Sequence, residues 1–358
     1  MIRADRTRDP TMADVAQLAG VSRMTVSRVI NDGDKVSEAT RAAVLAAIRE
    51  LNFAPNLTAR NLVMAGELRI GVVYSNPSAA FMSDFLIGVF EEATKAGARL
   101  ILVRGEAGQA PSLPEMRRLL GGGVHGVVLA PPLGESAAVR ALLAAAQLPV
   151  AVVAAGRPAP DAINVRIDDR QASQALVRHL LDLGHRRIGV IVGNPDQSAS
   201  AERLAGARAA VAAVQGAQLV LAQGAFTYAS GLQAAEQLLD LESPPTAIFA
   251  SNDDMAAAAV SVAHRRHLDV PGDLTVVGFD DTTVATTLWP PLTTIHQPVR
   301  QMAAVALERL MRALRAPSAP EAFADHVLDH RLIERQSTAP APSPRPNAAS
   351  HPERSPHV

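Results

Sequence analysis

The chain has 358 residues, 48% hydrophobic and 19% charged, with a net charge of −1 and no cysteine. That is apolar material for two or three domains, and the absence of cysteine removes disulfides, thiolate metal sites and cysteine nucleophiles. The N-terminal MIRADRTRDP is charged and no apolar run reaches the length of a bilayer span, so the chain reads as cytoplasmic, with residues 1–10 a flexible extension.

From Thr11 the pattern becomes helical. Thr11 and Asp14 form a capping pair before a helix of small residues, Ala13, Val15, Ala16 and Ala19, and Gly20 permits a sharp turn after it. Ser22 caps a second helix that buries Val26, Val29 and Ile30 at spacings of three and four. Its other face carries Arg23, Met24, Ser27 and Arg28. An arginine there can pair with guanine in the major groove, and serine or methionine can touch base edges, so the segment reads as a DNA-binding helix-turn-helix. Ser37 caps a third helix, whose Val44, Ile48 and Leu51 close a small core. The competing reading is a surface helix pair. Net charge near zero argues weakly against a nucleic-acid partner, but Arg23, Arg28, Lys35, Arg41 and Arg60 can gather positive charge locally.

DVAQLAGVSRMTVSRVIND resembles the headpiece of lactose-repressor-type (LacI/GalR) regulators, and LNFAPNLTARNL resembles their hinge. LVRHLLDLGHRRIGVIVG, SAERLAGARAA, SNDDMAAAAV, DLTVVGFDDT and PPLTTIHQP resemble the core of that family, so the likeness runs from Thr11 to Arg335. The resemblance implies an α/β fold class, with an all-α helix-turn-helix headpiece at 11–55, a hinge at 56–66 and a periplasmic-binding-protein-like core of two parallel-sheet subdomains at 67–336. Further DNA contacts are expected at Thr11, Ser22, Thr25, Asn31, Lys35, Asn56, Ala59 and Arg60, and the resemblance implies Leu62 as a wedge in the minor groove. The hinge helix is too short to be stable alone in water, so pairing and DNA must hold it; the alternative is a plain linker.

Beyond the hinge, β-branched runs alternate with helical patterns, which argues for parallel sheets covered by helices. Strands are expected at 69–74, 100–103, 124–129, 150–153, 187–192, 219–222, 247–250 and 274–278. A break at 158–164 divides them into subdomains at 67–163 with 290–318, and 164–288 with 319–336, with crossings near Asn164, Trp289 and Ala319. From 337 the composition turns to proline, at 340, 342, 344, 346, 352 and 356, and a disordered tail is expected at 337–358. The tail has no heptad repeat, so a homodimer reading a palindromic operator is expected rather than a tetramer.

Open parallel sheets bind ligands beyond the carboxyl ends of their strands. The resemblance assigns Arg203 as a clamp on ligand oxygens and Asp280 as an acceptor from sugar hydroxyls. Asn252 follows a strand and can donate and accept. Ser75, Phe81, Phe85, Gln171, Phe226 and Gln297 are expected to complete the wall. The competing readings are helix capping for Asn252 and Asp280, an exposed helix position for Arg203 and core packing for the phenylalanines. Gln171 and Phe226 depart from residues found in sugar-binding members, which bears on the identity of the effector.

Two motifs are decoys. GGGVHG satisfies GxGxxG at Gly121, Gly123 and Gly126, but in helix-to-strand order, the reverse of a dinucleotide site. His264 and His267 sit at a basic helix end and read as solvated. No cofactor and no metal are expected. The sequence therefore reads as a repressor of carbohydrate-use genes, controlled by a sugar-like effector acting as inducer or co-repressor. The alternatives are a nucleobase co-repressor and a periplasmic-type sugar-binding protein. An enzyme is disfavoured by the lack of GxSxG and P-loop motifs.

Overall fold

A computed structural model describes residues 11–30, 36–51, 68–106, 108–315 and 324–342. The expected extension at 1–10, the hinge at 56–66, the contacts Asn31, Lys35, Asn56, Ala59, Arg60 and Leu62, the crossing at Ala319 and the side chain of Ile30 lie outside the described residues. The chain divides into two compact units, before and after Leu68.

The first unit holds three helices, α1 (Met12–Leu18), α2 (Arg23–Ile30) and α3 (Glu38–Glu50). Each begins at a capping contact: the Asp14 carboxylate accepts from the Thr11 N–H at 2.6 Å, and Ser22 and Ser37 Oγ accept from the N–H groups of Thr25 and Thr40. Gly20 takes φ +65°, the left-handed conformation that the α1–α2 turn requires. Val15, Ala16, Val26, Val29, Val44 and Ala47 form the core, with Ile48 and Leu51 packed against it.

The second unit is built on two parallel sheets. In chain order its elements are β1 (Arg69–Tyr74), α4 (Ala79–Ala96), β2 (Arg99–Arg104), α5 (Leu113–Gly121), β3 (Gly126–Leu129), α6 (Ala137–Ala145), β4 (Val150–Val153), β5 (Ile163–Ile167), α7 (Asp169–Asp182), β6 (Arg187–Val192), α8 (Ser198–Ala212), β7 (Gln218–Gln223), α9 (Tyr228–Leu239), β8 (Ala247–Ala250), α10 (Asp253–Arg265), β9 (Thr275–Val277), α11 (Thr283–Thr287), β10 (Thr294–His296), α12 (Val299–Arg315), β11 (Asp325–Leu328) and β12 (Arg331–Ile333). The first sheet runs β11-β5-β4-β3-β1-β2 and the second β7-β6-β8-β9, while β10 and β12 pair antiparallel. The central strands bury both faces, as sheets covered by helices on both sides demand.

A repeat underlies this architecture. RIGVVYSNPS at 69–78 and RIGVIVGNPDQS at 187–198 each give a strand between two parallel neighbours, then an Asn-Pro turn, then a helix. Gly88 and Gly206 occupy matching places in the two helices. A methyl group at Gly88 would overlap the Arg300 carbonyl, and one at Gly206 the Arg170 carbonyl. These glycines let α4 approach α12, and α8 approach α7.

Four strands differ from the sequence reading. Ile163–Ile167 extends the first sheet, so the chain leaves that sheet after Ile167 rather than near Asn164. Asp325–Leu328 pairs with β5 and belongs to the first sheet, where the sequence reading placed it in the second subdomain. The return crossings run through β10 and β12, whose three residues each are too few to show alternation. Trp289, near which a crossing was expected, lies 75% exposed five residues before β10.

Residues 337–342, expected in the disordered tail, are ordered, and 343–358 lie outside the described residues. The Val276 N–H donates to the Ser337 carbonyl, Ser337 Oγ donates to the Val276 carbonyl, and the Ala341 N–H donates to the Leu183 carbonyl. The segment satisfies the free edge of β9, which composition alone does not reveal.

Candidate functional site

In the first unit, the packing of Val26 and Val29 turns the opposite face of α2 outward. Arg23, Met24 and Arg28 are exposed, Met24 to 66%. Ser22 is exposed with its Oγ bonded to Thr25, and Thr25 and Ser27 are half-buried. Thr11 is spent on the α1 cap with Asp14. Two guanidinium groups and a thioether on one helical face suit phosphates and base edges in a major groove.

In the second unit, the carboxyl ends of β1, β6 and β8 meet around a small cleft, part open to solvent. It is lined by Asn76, Ser78, Phe81, Pro131, Ala154, Gln197, Ala199, Arg203, Phe226, Asn252, Asp280 and Gln297. Arg203 is its chemical centre. Only 4% exposed, it donates from Nε to Asp169 Oδ1 at 2.8 Å and from a terminal nitrogen to the Ser251 carbonyl at 2.5 Å, and stands 3.6 Å from Asp280 Oδ1. Its guanidinium also lies over the Phe279 ring, 3.6 Å from the centroid.

Asp280 follows β9 and faces this guanidinium. Gln297 Nε2 donates to its Oδ1 at 3.1 Å. Burial pushes its carboxyl well above the usual range, Arg203 pulls it back, and Asp253, Asp254 and Asp169 push it up again. Burial likewise raises Asp169 against the pull of Arg203. Behind the site, Asp253 accepts from the Thr282 N–H and hydroxyl and from Thr294 Oγ1, yet burial outweighs these bonds and lifts it to about 7. Asp254 is raised by burial and partly lowered by its bond with Ser78 across the cleft.

Backbone strain gathers at the same place. Ala154, Phe226 and Asp280 line the cavity with φ of 56°, 60° and 107°. Such conformations in non-glycine residues cost roughly 1–3 kcal/mol each and are retained where the surroundings fix a functional geometry. The Phe226 ring fills the space a methyl group would need at Gly193.

Phe81, Arg203, Phe226, Asn252, Asp280 and Gln297 were all expected in the wall and are there. Asn252 also caps α10: its Oδ1 accepts from the Met255 N–H and its Nδ2 donates to the Phe226 carbonyl. Three others are not on the wall. Ser75 is buried at the end of β1, and its Oγ meets no hydrogen-bond partner among the described residues. Phe85 sits one turn deeper on α4 than Phe81 and is sealed in the core. Gln171 is exposed on α7, because it lies about 200° around the helix from the inward-facing Asp169. The sequence reading missed Asn76, Ser78, Pro131, Ala154, Gln197, Ala199 and the positioning residue Asp169. The repeated strand and Asn-Pro turn was the signal for Asn76 and Gln197.

A three-helix unit with an outward basic recognition face, joined in one chain to a two-sheet unit with a polar cleft, defines a ligand-binding transcriptional regulator. Residues 11–56 match the family described as "Bacterial regulatory proteins, lacI family", and residues 177–338 match "Periplasmic binding protein-like domain". The chain is 34% identical over 307 residues to the HTH-type transcriptional repressor PurR of Photobacterium profundum, covering 85% of this chain and 92% of that protein. Among solved structures it resembles the transcriptional regulator CelR in complex with cellobiose, at TM-score 0.68 and 33% identity, covering 92% of this chain and 99% of that one. It also resembles the lac repressor dimer bound to operator and the anti-inducer ONPF, at TM-score 0.68 and 30% identity, covering 93% and 100%. The chain belongs to the LacI family of bacterial regulators and is a DNA-binding transcriptional regulator.

Proposed function

We propose that this chain is a cytoplasmic, homodimeric repressor of carbohydrate-use genes, without catalytic activity, whose affinity for a palindromic operator is set by a small sugar-like effector in the cleft. The observation that carries the reading is the cleft itself, with a buried arginine held between two carboxylates, and amides and phenylalanines around them. The planar fork of Arg203 suits paired ligand oxygens, and Asp280 and Gln297 suit hydroxyl donors. Arg23, Met24, Ser27 and Arg28 read bases, supported by Thr11, Ser22, Thr25, Asn31, Lys35, Asn56, Ala59, Arg60 and Leu62. Two headpieces in a dimer read the two halves of a palindrome, which multiplies specificity that one helix lacks.

Control follows from differential affinity. The effector binds one arrangement of the two sheets better than another, and that arrangement alters the affinity of the headpieces for DNA. A nucleobase is the second reading, favoured by the two phenylalanines of the cleft wall. The test is Arg203→Lys, which keeps the charge and loses the fork. A sugar that raises the melting temperature of the wild-type chain should no longer do so in the variant, with binding to DNA retained. An undiminished shift would remove Arg203 from the site.

A further inference from the structure

Building on the cleft assignment above, we propose that the cleft takes an uncharged, polyhydroxylated ligand and is constructed against ligands that carry phosphate or carboxylate. The first observation is that its cation is already spoken for. Arg203, the one lysine or arginine among the described lining residues, is bonded to Asp169 and to the Ser251 carbonyl, with Asp280 close by. An anion entering here meets a compensated charge. A phosphate site instead needs free guanidinium or ammonium groups.

The second observation concerns helix N-termini, whose free N–H groups are ready-made anion sites. Three helices begin at the cleft, and protein groups already serve each. Ser78 Oγ accepts from the Phe81 N–H on α4, and Asn252 Oδ1 from the Met255 N–H on α10. On α8 the carboxylate of Glu135 reaches over from the β3–α6 connection and accepts from the Ser198 N–H at 2.9 Å. A side-chain anion therefore stands where a ligand phosphate would bind.

The third observation is the polarity of what remains. Gln297 is 3% exposed, its Nε2 is given to Asp280, and its Oε1 meets no hydrogen-bond partner among the described residues. An unpaired buried acceptor calls for a donor from the ligand, which a hydroxyl supplies and a phosphate dianion does not. Asp280 lines this space, while Asp169 bonds the lining Arg203 and Asp254 the lining Ser78, so an added negative charge would meet carboxylates in a poorly solvated site.

The experiment is thermal shift followed by calorimetric titration of the full chain with matched ligands. The pairs are D-ribose with D-ribose 5-phosphate, D-glucose with D-glucose 6-phosphate and D-gluconate, and cellobiose with cellobionate; hypoxanthine is added singly. The expected result is that at least one uncharged sugar stabilises the protein. Where it has a charged counterpart in the panel, that counterpart should bind at least about 100-fold more weakly, since opposing like charges costs several kcal/mol. A charged member that binds as tightly as its parent, or hypoxanthine as the sole stabiliser, overturns the proposal. Silence from every compound, with the chain folded and bound to DNA, counts instead against the cleft as a sugar site.

Discussion

Arg203 is a buried cation, and its surroundings explain why it is tolerated. A buried charge without partners costs several kcal/mol, whereas here Asp169, the Ser251 carbonyl, Asp280 and the Phe279 ring share it. Asp253 is the complementary case, a buried carboxylate whose three hydrogen bonds do not overcome desolvation. Its pKa in the folded chain is about 7, against 3.8 when unperturbed, so the folded state holds the proton more firmly than the unfolded state. Stability from this group is therefore complete below about pH 4 and declines as pH rises toward 7, by up to about 4 kcal/mol. Asp253→Asn keeps the shape and removes the titration. Chemical denaturation from pH 5 to 8 should show the wild-type chain losing stability relative to the variant as pH rises; parallel curves would contradict this account of Asp253. At the other unit, Arg28→Ala should cost roughly 1–3 kcal/mol at a selected DNA site and little on random duplex, as measured by fluorescence anisotropy. Equal losses on both would mean that Arg28 touches phosphate rather than bases.

The helices and strands were legible wherever a pattern ran long enough. α2 and α3 show spacings of three and four behind hydroxyl caps, and β1, β4, β6 and β8 match the expected limits residue for residue. Three short strands were not legible: β10, β11 and β12 owe their existence to pairing with distant segments. The same holds for the cleft. Arg203, Asp280 and Phe226 were found through resemblance and post-strand position, while Pro131 and Ala154 have no chemical signal of their own. Phe85 illustrates the limit, since on α4 it has the place that Arg203 has on α8, sixteen residues after the arginine opening each strand, yet faces the core. The glycine crossings make a prediction at this scale. Gly206→Ala would press a methyl group on the Arg170 carbonyl and separate α8 from α7. A loss of about 1–3 kcal/mol in unfolding free energy is expected, with weaker ligand binding because α8 carries Arg203. An unchanged denaturation midpoint would show that the helices part without cost.

At the scale of the two-sheet unit, the cleft walls come from both sheets, and the segments joining those sheets run past the binding residues. Gln297 follows β10 directly, and Asp280 bridges to His296 on the same strand. Asp281, next to Asp280, accepts from Arg335 at 2.6 Å and pairs with His296 Nδ1 at 3.0 Å, so the connecting strands are fastened beside the ligand site. Occupancy of the cleft is thus placed to bias the arrangement of the sheets, which is the property a ligand-controlled regulator requires. Coupling between sites of this kind is typically 1–3 kcal/mol, or roughly 5- to 150-fold in affinity. The decisive measurement is the dissociation constant of the full chain for a duplex selected from random-sequence DNA, with and without a saturating sugar that raises its melting temperature. The account predicts a change of at least about fivefold, abolished by Arg203→Lys. An identical constant with the cleft filled and empty would contradict it.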